Sequence, residues 1–284
     1  MKTCYHLPCI VLPLLILSLY IFSPTLGHST VRVQCLDSER DALLRFKHSL
    51  KNDNCGLIDS WVTHSDCCQW NGVTCSNNTS HVIMIDLEKD DADCRCLEGK
   101  LSPSLAQLNR LSYLALSYNN LEGSIPIEFR NMSSLRHLDL YENHFQGDAF
   151  EIFSKLCNLE KLYLGANNFT DELQHVIQAL LSCENRPLEL LDLSTNQFRG
   201  VVPDSVGSLS SLRELHFDGN QLRGEIPQSI GQLSLLEKFD ISSNSLEGTL
   251  TDRHFSKLSK LRELYLFDNK RLTISIDSSW IPPF

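Results

Sequence analysis

The chain has 284 residues, 42% of them hydrophobic and 21% charged, with a formal net charge of −10. That length supports an extended apolar core, and the acidic balance argues against a nucleic-acid or anionic-lipid partner. The 11 cysteines and 10 histidines have to be weighed position by position before metal or thiol chemistry is set aside.

Lys2 precedes a mostly apolar stretch from Cys9 to Phe22, followed by Ser23-Pro24-Thr25-Leu26-Gly27. A positive start, a short apolar run and a small residue read as a signal peptide over 1–27, cleaved near Gly27. The apolar run is shorter than the roughly 20 residues that a spanning helix needs. Losing Lys2, the leader's one charge, takes the net charge from −10 to −11. No later stretch is long or apolar enough to span a membrane, so the chain is expected in the secretory pathway. Cys4 and Cys9 leave with the leader.

Residues 28–81 read as a cysteine-rich cap. The segment Ser38 to Leu50 has the pattern of a helix, with Ser38 as N-cap, Asp41 three positions on, and Leu43, Phe46 and Leu50 as its apolar stripe. Trp61 and the run Asp66-Cys67-Cys68-Gln69-Trp70-Asn71-Gly72-Val73-Thr74-Cys75 follow. Cysteines crowd from Cys35 to Cys96, where a small unit needs covalent staples. Cys67-Cys68, Cys94-x-Cys96 and His64 contain no paired C-x-x-C knuckle, so disulfides are expected and metal is not. Segment 82–110 holds a lead-in strand (Val82, Ile85, Leu87) and an insert with Cys94 and Cys96.

From residue 111 to 284 the frame L-x-x-L-x-L-x-x-N-x-L repeats, starting at Leu111, Leu135, Leu159, Leu188, Leu212, Leu236 and Leu261. Its asparagines are Asn119, Asn143, Asn167, Asn196, Asn220, Asn244 and Asn269. A period near 24 residues means a leucine-rich-repeat solenoid, in which each coil buries its apolar edge only against its neighbours. In the first coil Leu114 and Leu116 face inward from a short strand, while Ser112, Tyr113, Ala115, Ser117 and Tyr118 face solvent. The Asn turns the chain inward, and its amide is expected to satisfy backbone groups that the turn leaves unpaired. Gly123-Ser-Ile125-Pro126, Gly200-Val-Val202-Pro203 and Gly224-Glu-Ile226-Pro227 share a G-x-I/V-P outer turn. Gly147-Asp-Ala-Phe150, Thr170-Asp-Glu-Leu173 and Gly248-Thr-Leu250 lack the proline, so a less regular outer side is expected there. Cys157 and Cys183 precede the strands of adjacent coils, which brings them within bridging reach; the 29-residue spacing there marks a long loop.

Eight strands at about 4.8 Å give a ribbon of roughly 35 Å, enough for an extended peptide or a protein edge. Its central column reads Asp86, Ala115, Asp139, Tyr163, Asp192, His216, Asp240 and Tyr265, flanked by Tyr113, Tyr118, His137, Tyr141, Glu142, Lys161 and Phe267. Tyrosines beside carboxylates suit recognition, and Tyr118, Tyr141 and Tyr163 form the leading patch for a cationic or polar protein or peptide. The sequence has no G-x-G-x-x-G, G-K-[ST], G-x-S-x-G or H-E-x-x-H, so neither enzymatic turnover nor a cofactor is expected. Sequons at Asn77, Asn78, Asn131 and Asn168 read as glycan sites, with double occupancy of the first two opposed by sterics.

Several of these segments together resemble plant leucine-rich-repeat receptor-like proteins. They are Cys35-Leu-Asp-Ser-Glu-Arg-Asp-Ala-Leu-Leu-Arg-Phe-Lys47, Leu57–Trp61, the D-C-C-x-W-x-G-V-x-C run and the G-x-I/V-P turns. The Cys94–Cys96 insert, Leu156-Cys157-Asn158-Leu159 with Cys183, and Trp280-Ile-Pro-Pro-Phe284 are similar to the subgroup of fungal-xylanase receptors. The resemblance implies an α/β repeat, a curved solenoid of the plant extracellular type with a disulfide-stapled N-terminal cap. It also implies bridges Cys35–Cys67 and Cys68–Cys75, with Cys55, Cys94 and Cys96 left open. In function it implies a kinase-less cell-surface receptor that senses a protein or peptide, in concert with a co-receptor kinase. Such receptors continue through more repeats to a second cap and a membrane anchor. A chain stopping at Phe284 is therefore expected to be an N-terminal portion with an uncapped last coil. The second class that the cap and repeats resemble is a secreted inhibitor or decoy, like polygalacturonase-inhibiting proteins.

Overall fold

The computed structural model describes residues 34–88, 95–147 and 150–284. The signal-peptide reading and Cys94 lie outside them. Among the described residues no helix is long and apolar enough to cross a membrane.

Helix α1 spans Asp37–Ser49, one residue earlier than the sequence suggested, and its N-cap is Leu36 with no side-chain cap. Ser38 is therefore inside the helix and forms no capping box with Asp41. Asp37 and Glu39 in the first turn complement the helix dipole. Glu39 does more, because it is buried. Its Oε2 accepts from the Val82 N–H at 2.7 Å, and its Oε1 lies 2.8 Å from His81 Nδ1, tying the cap helix to the first coil. Ala42, Leu43 and Phe46 form the buried stripe, with Phe46 against Trp61 at 6.2 Å. Leu50 leaves the helix and opens an extended strand, Leu50–Asp53, antiparallel to Leu97–Lys100. Gly99 makes that pairing possible: at φ +140° a Cβ would stand 2.7 Å from the Leu50 Cα.

The rest of the cap packs Trp61 on Trp70 at 5.4 Å, and both indoles find partners, Asn71 O and Ser65 Oγ. Bridges Cys35–Cys67 and Cys68–Cys75 close it, as the family resemblance implied. A third bridge, Cys55–Cys96, joins the cap to the insert with Cα atoms 5.1 Å apart. That pairing was open at the sequence level.

Eight short parallel strands then stack into the main sheet: Val82–Asp86, Tyr113–Ala115, His137–Asp139, Lys161–Tyr163, Leu190–Asp192, Glu214–His216, Lys238–Asp240 and Glu263–Tyr265. Val73–Cys75 adds an antiparallel strand at the N-terminal edge. Behind the sheet the frame leucines are buried, except Leu264 and Leu266 of the last coil, which are half-buried, and Phe145, Phe169 and Phe198 stack coil upon coil at 6.5 Å with Phe150 wedged between. Burying each large side chain contributes about 1.5–3 kcal/mol.

A second sheet runs along the flank, which the repeat frame alone does not reveal. The segments after each Asn pair in parallel in two runs: Leu97–Lys100 to Asn168–Phe169, and Arg199–Gly200 to Arg271–Ile274. The prolines of the G-x-I/V-P turns cap short 3-10 turns on the convex side, as Pro126 does for Ile127–Asn131. In the 29-residue repeat the expected loop is instead helix α2, Leu173–Leu181, which buries Leu173, Val176, Ile177 and Leu180. Cys157 and Cys183 bridge beneath it, with Cα atoms 5.3 Å apart.

The frame asparagines fasten the coils. Asn143 Nδ2 donates to the carbonyl oxygens of Leu116, Leu140 and Tyr141 at 2.9, 3.3 and 3.1 Å, while its Oδ1 accepts from the Leu121 N–H at 3.0 Å. Asn119, Asn167, Asn196, Asn220, Asn244 and Asn269 repeat the pattern, each reaching into the preceding coil. Replacing Asn143 with Ala removes four hydrogen bonds and leaves the Leu121 N–H without its acceptor in a dry interior, while the three carbonyls each keep one other donor. It should lower unfolding stability by about 2–4 kcal/mol in urea titrations; a loss below about 0.5 kcal/mol would show that the amide fastens nothing.

Candidate recognition face

The residue before each frame Asn sits in the left-handed region: Tyr118, Glu142, Ala166, Thr195, Gly219, Ser243 and Asp268 have φ between 48° and 64°. This bend carries the chain off the strand and turns the preceding side chains onto the concave face. Tyr141 benefits further from Gly165 in the next coil, where a Cβ would come within 2.9 Å of the Tyr141 ring and 2.7 Å of Asp192 Oδ1. The glycine lets the ring and the carboxylate close over bare backbone.

The sequence-predicted residues fall into two groups. Towards the N-terminal end, Tyr113 stacks on His137 at 4.2 Å and His137 packs on Tyr163 at 5.5 Å, while Tyr118 meets Tyr141 at 5.6 Å. The expected trio of Tyr118, Tyr141 and Tyr163 is thus shared between two aromatic contacts. Asp139 accepts from the Tyr141 N–H at 2.9 Å, Lys161 is exposed beside His137, and Glu142 is held by Arg95 at 3.1 Å. Towards the other end stand Asp192, His216, Asp240 and Tyr265, with His216 3.4 Å from Glu214 and the Lys238 ammonium 6.0 Å over the Tyr265 ring. Phe267 stands exposed beside Tyr265.

Two residues expected to be exposed to solvent are buried. Ala115 and Ser117 are 0% and 1% exposed. Ala115 lies in register between Asp86 and Asp139, whose longer side chains rise above a methyl on either side. Asp218 was missed by the strand alternation because it lies beyond the strand, on the bend. Its acidic type at the position that Tyr141 occupies in another coil was the available signal.

Burial dominates the electrostatics. It pushes Asp139 up to about 6 against the Tyr141 N–H, with Glu88 and Asp192 adding repulsion. It likewise lifts Asp218 to about 6, where Asp240 and Asp192 crowd it. Tyr163 is raised to about 12 by burial beside Asp139, Glu214 and Asp192. Burial and Lys161 lower His137 to about 4, so the imidazole in the stack is neutral at ordinary pH. One rim carries a different pattern, an ion-pair ladder of Arg136–Glu160 and Glu189–Arg213–Glu237–Arg262.

All four sequons are exposed. Asn77 and Asn78 lie in the turn between Val73–Cys75 and Val82–Asp86, Asn131 ends a convex turn, and Asn168 points outward from the flank sheet. Asn168 shares a groove of about 820 Å³ with Lys100, Gln146, Thr170 and Gln197. No sequon stands in the middle of the concave columns.

Comparison with known proteins agrees with this architecture. The Leucine rich repeat N-terminal domain family matches residues 36–76, and the Leucine Rich Repeat family matches 110–132, 134–156, 187–209 and 211–233. The structure adds coils that the second family does not match, including the one carrying α2. Receptor-like protein EIX2 of Solanum lycopersicum is 43% identical over 95 residues, which are 31% of this chain and 9% of that protein. The chain therefore matches only a small part of that relative's length. The ectodomain of the Arabidopsis receptor kinase HAESA, solved with an N-terminally extended IDA peptide hormone ligand, superposes with a TM-score of 0.66 at 26% identity, covering 85% of this chain and 42% of that one. A plant ice-binding protein superposes with a TM-score of 0.62 at 25% identity, covering 86% and 88%. The chain is a leucine-rich-repeat protein with the N-terminal domain of that class, and it is similar to plant receptor-like proteins.

The Asp139 environment predicts a pH effect of definite sign. The folded carboxyl holds its proton up to about pH 6 and the unfolded one only to about pH 4, so its contribution to stability is full below about pH 4 and is lost as pH rises through 6. His137 acts in the opposite sense between about pH 4 and 6.5. Asp139→Asn should therefore gain about 2 kcal/mol relative to the parent between pH 4 and 6.5, read from paired urea titrations. A pH-independent difference would contradict the burial assigned to this carboxyl.

Proposed function

We propose that the chain is the ligand-recognition part of a kinase-less plant receptor-like protein, acting outside the cell on a protein or peptide held by the concave strand face. The observation that carries the reading is the pairing of two aromatic groups, Tyr113–His137–Tyr163 and Tyr118–Tyr141, with half-buried carboxylates on the face clear of sequons. Tyrosine supplies contact area at low entropic cost, and a carboxylate beside it favours a basic or polar partner group. The peptide complex of the HAESA ectodomain supports a peptide-sized ligand, since the two folds superpose over most of this chain. A co-receptor kinase completing a signalling assembly belongs to the same reading. The four disulfides among the described residues support an oxidising compartment for this reading.

The test is a pull-down from plant extracellular fluid with the purified secreted chain and with a Tyr118→Ala, Tyr141→Ala, Tyr163→Ala variant. Proteins retained by the parent should be lost from the variant by about tenfold or more, the size expected when aromatic anchors are truncated. Retention of the same proteins at the same level by both would remove this face from the proposal.

A further inference from the structure

The flank sheet holds a groove that the concave-face reading does not use. It encloses about 820 Å³ and is walled in part by Asn168, within the roughly 300–1,000 Å³ that small-ligand sites occupy. Asn168 stands in register beside Gln146 of the preceding coil. On the other side, the Gln197 N–H donates to the Phe169 carbonyl at 2.9 Å and holds the following coil against the same strand. Exposed amides thus flank Asn168 on the neighbouring strands, each about 4.8 Å away across the sheet. Alternation buries Phe169 and turns Thr170 outward with Asn168. Lys100 lies three strands towards the cap, about 14 Å across, so the groove extends well beyond a single ring.

The lining suits an uncharged ligand rich in hydroxyls. Ser124, Thr170, Gln146 and Gln197 supply hydroxyls and amides, groups that both donate and accept. Leu101 and Pro126 add apolar ground for the C–H face of a sugar ring, and Gly123 and Gly147 leave the floor without side chains. Among the described residues none of those four polar side chains bonds to another. Elsewhere on the flank they do: Lys51 meets Glu122 at 2.7 Å, Asn52 meets Glu98 at 3.0 Å and Thr249 meets Thr273 at 2.9 Å.

The wall itself indicates the occupant. Asn168-Phe169-Thr170 is a sequon. The amide of Asn167 is committed to the frame, donating to the Leu140, Leu164 and Gly165 carbonyls and accepting from the Phe145 N–H. The Asn168 amide is exposed and has no such duty among the described residues, so its nitrogen can be substituted without cost to the coil.

We propose that Asn168 carries an N-linked glycan whose first N-acetylglucosamine units lie in this groove. In the transfer a bond forms between Asn168 Nδ2 and the sugar C1 as the C1–O bond to a lipid-diphosphate donor breaks. The diphosphate leaves with the electron pair, and the nitrogen gives up one proton. The seated sugars then bond Gln146 on one coil and Gln197 on another, bracing the break between the two flank runs. The concave columns stay clear.

The inference rests on passage of the chain through the secretory pathway, and its test separates the two. The full chain would be expressed in plant cells and its glycopeptides mapped by mass spectrometry. The native protein would then be digested with a peptide N-glycosidase active on plant glycans, beside a Gln146→Ala, Gln197→Ala variant. Both positions are exposed, and a circular-dichroism melt checks that the variant is folded. The Asn168 peptide should carry a glycan, released about tenfold faster from the variant than from the parent, with a smaller gain in Gln146→Ala alone. Release at Asn77, Asn78 or Asn131 should not change. A bare Asn168 on a chain glycosylated at another sequon would overturn this inference alone, and a chain bare at all four would overturn the secretory reading with it. Equal release from parent and variant would overturn the seat in the groove.

Discussion

A single hydrogen-bonding arrangement sets the geometry of the rest: one buried amide per coil, satisfied on both of its ends. Each frame Asn donates into its own turn and into the preceding coil, and accepts from the flank segment of that preceding coil. Leucine packing is non-directional and would tolerate sliding. The amide is directional, and its cost if unpaired is high in a dry interior. The ladder therefore converts a generic apolar stack into one with fixed rise and register. Everything on the concave face inherits that regularity, including the left-handed bend beside each Asn and the alignment of side chains from strand to strand.

What the sequence disclosed follows from this division of labour. Residues with a repeated physical task, such as Leu114, Leu138 or Asn143, recur in type and could be found by period alone. Residues whose task depends on one neighbour could not. Glu39 looks like a first-turn acid, yet it is buried because the Val82 amide and His81 meet it from the first coil. Cys55 and Cys96 are distant in sequence, and only the antiparallel pairing of Leu50–Asp53 with Leu97–Lys100 brings their backbones together. Leu173, Val176, Ile177 and Leu180 carried a helical spacing, but the long interval between leucine frames disguised it as a loop. Ala115 obeyed the alternation rule for direction, and failed it for exposure because both of its in-register neighbours are larger. The concave residues were identifiable as a set, whereas their aromatic contacts and unequal burial were not.

Fold and task separate cleanly in this architecture. A peptide-hormone receptor and an ice-binding protein superpose on the chain almost equally well, so the coil itself confers neither property. Specificity has to reside in the side chains that the frame leaves free. Here the two margins of the face differ in kind. The rim of alternating Arg and Glu is internally neutralised and suits solubility and alignment. The column beside it keeps its carboxylates unneutralised within an aromatic setting.

Helix α2 has a consequence for how the molecule comes apart. Its insertion splits the flank sheet into two runs, which meet across the gap through the isolated bridge between Glu172 and Arg199 and the hydrogen bonds of Phe169 with Gln197 and Asn196. At that seam the Cys157–Cys183 bond ties the coils on either side. Cooperativity across the seam is thus partly covalent where elsewhere it is hydrogen-bonded. Reduction would loosen the flank at this seam before any other, while the main sheet and the asparagine ladder still carry the coils through it.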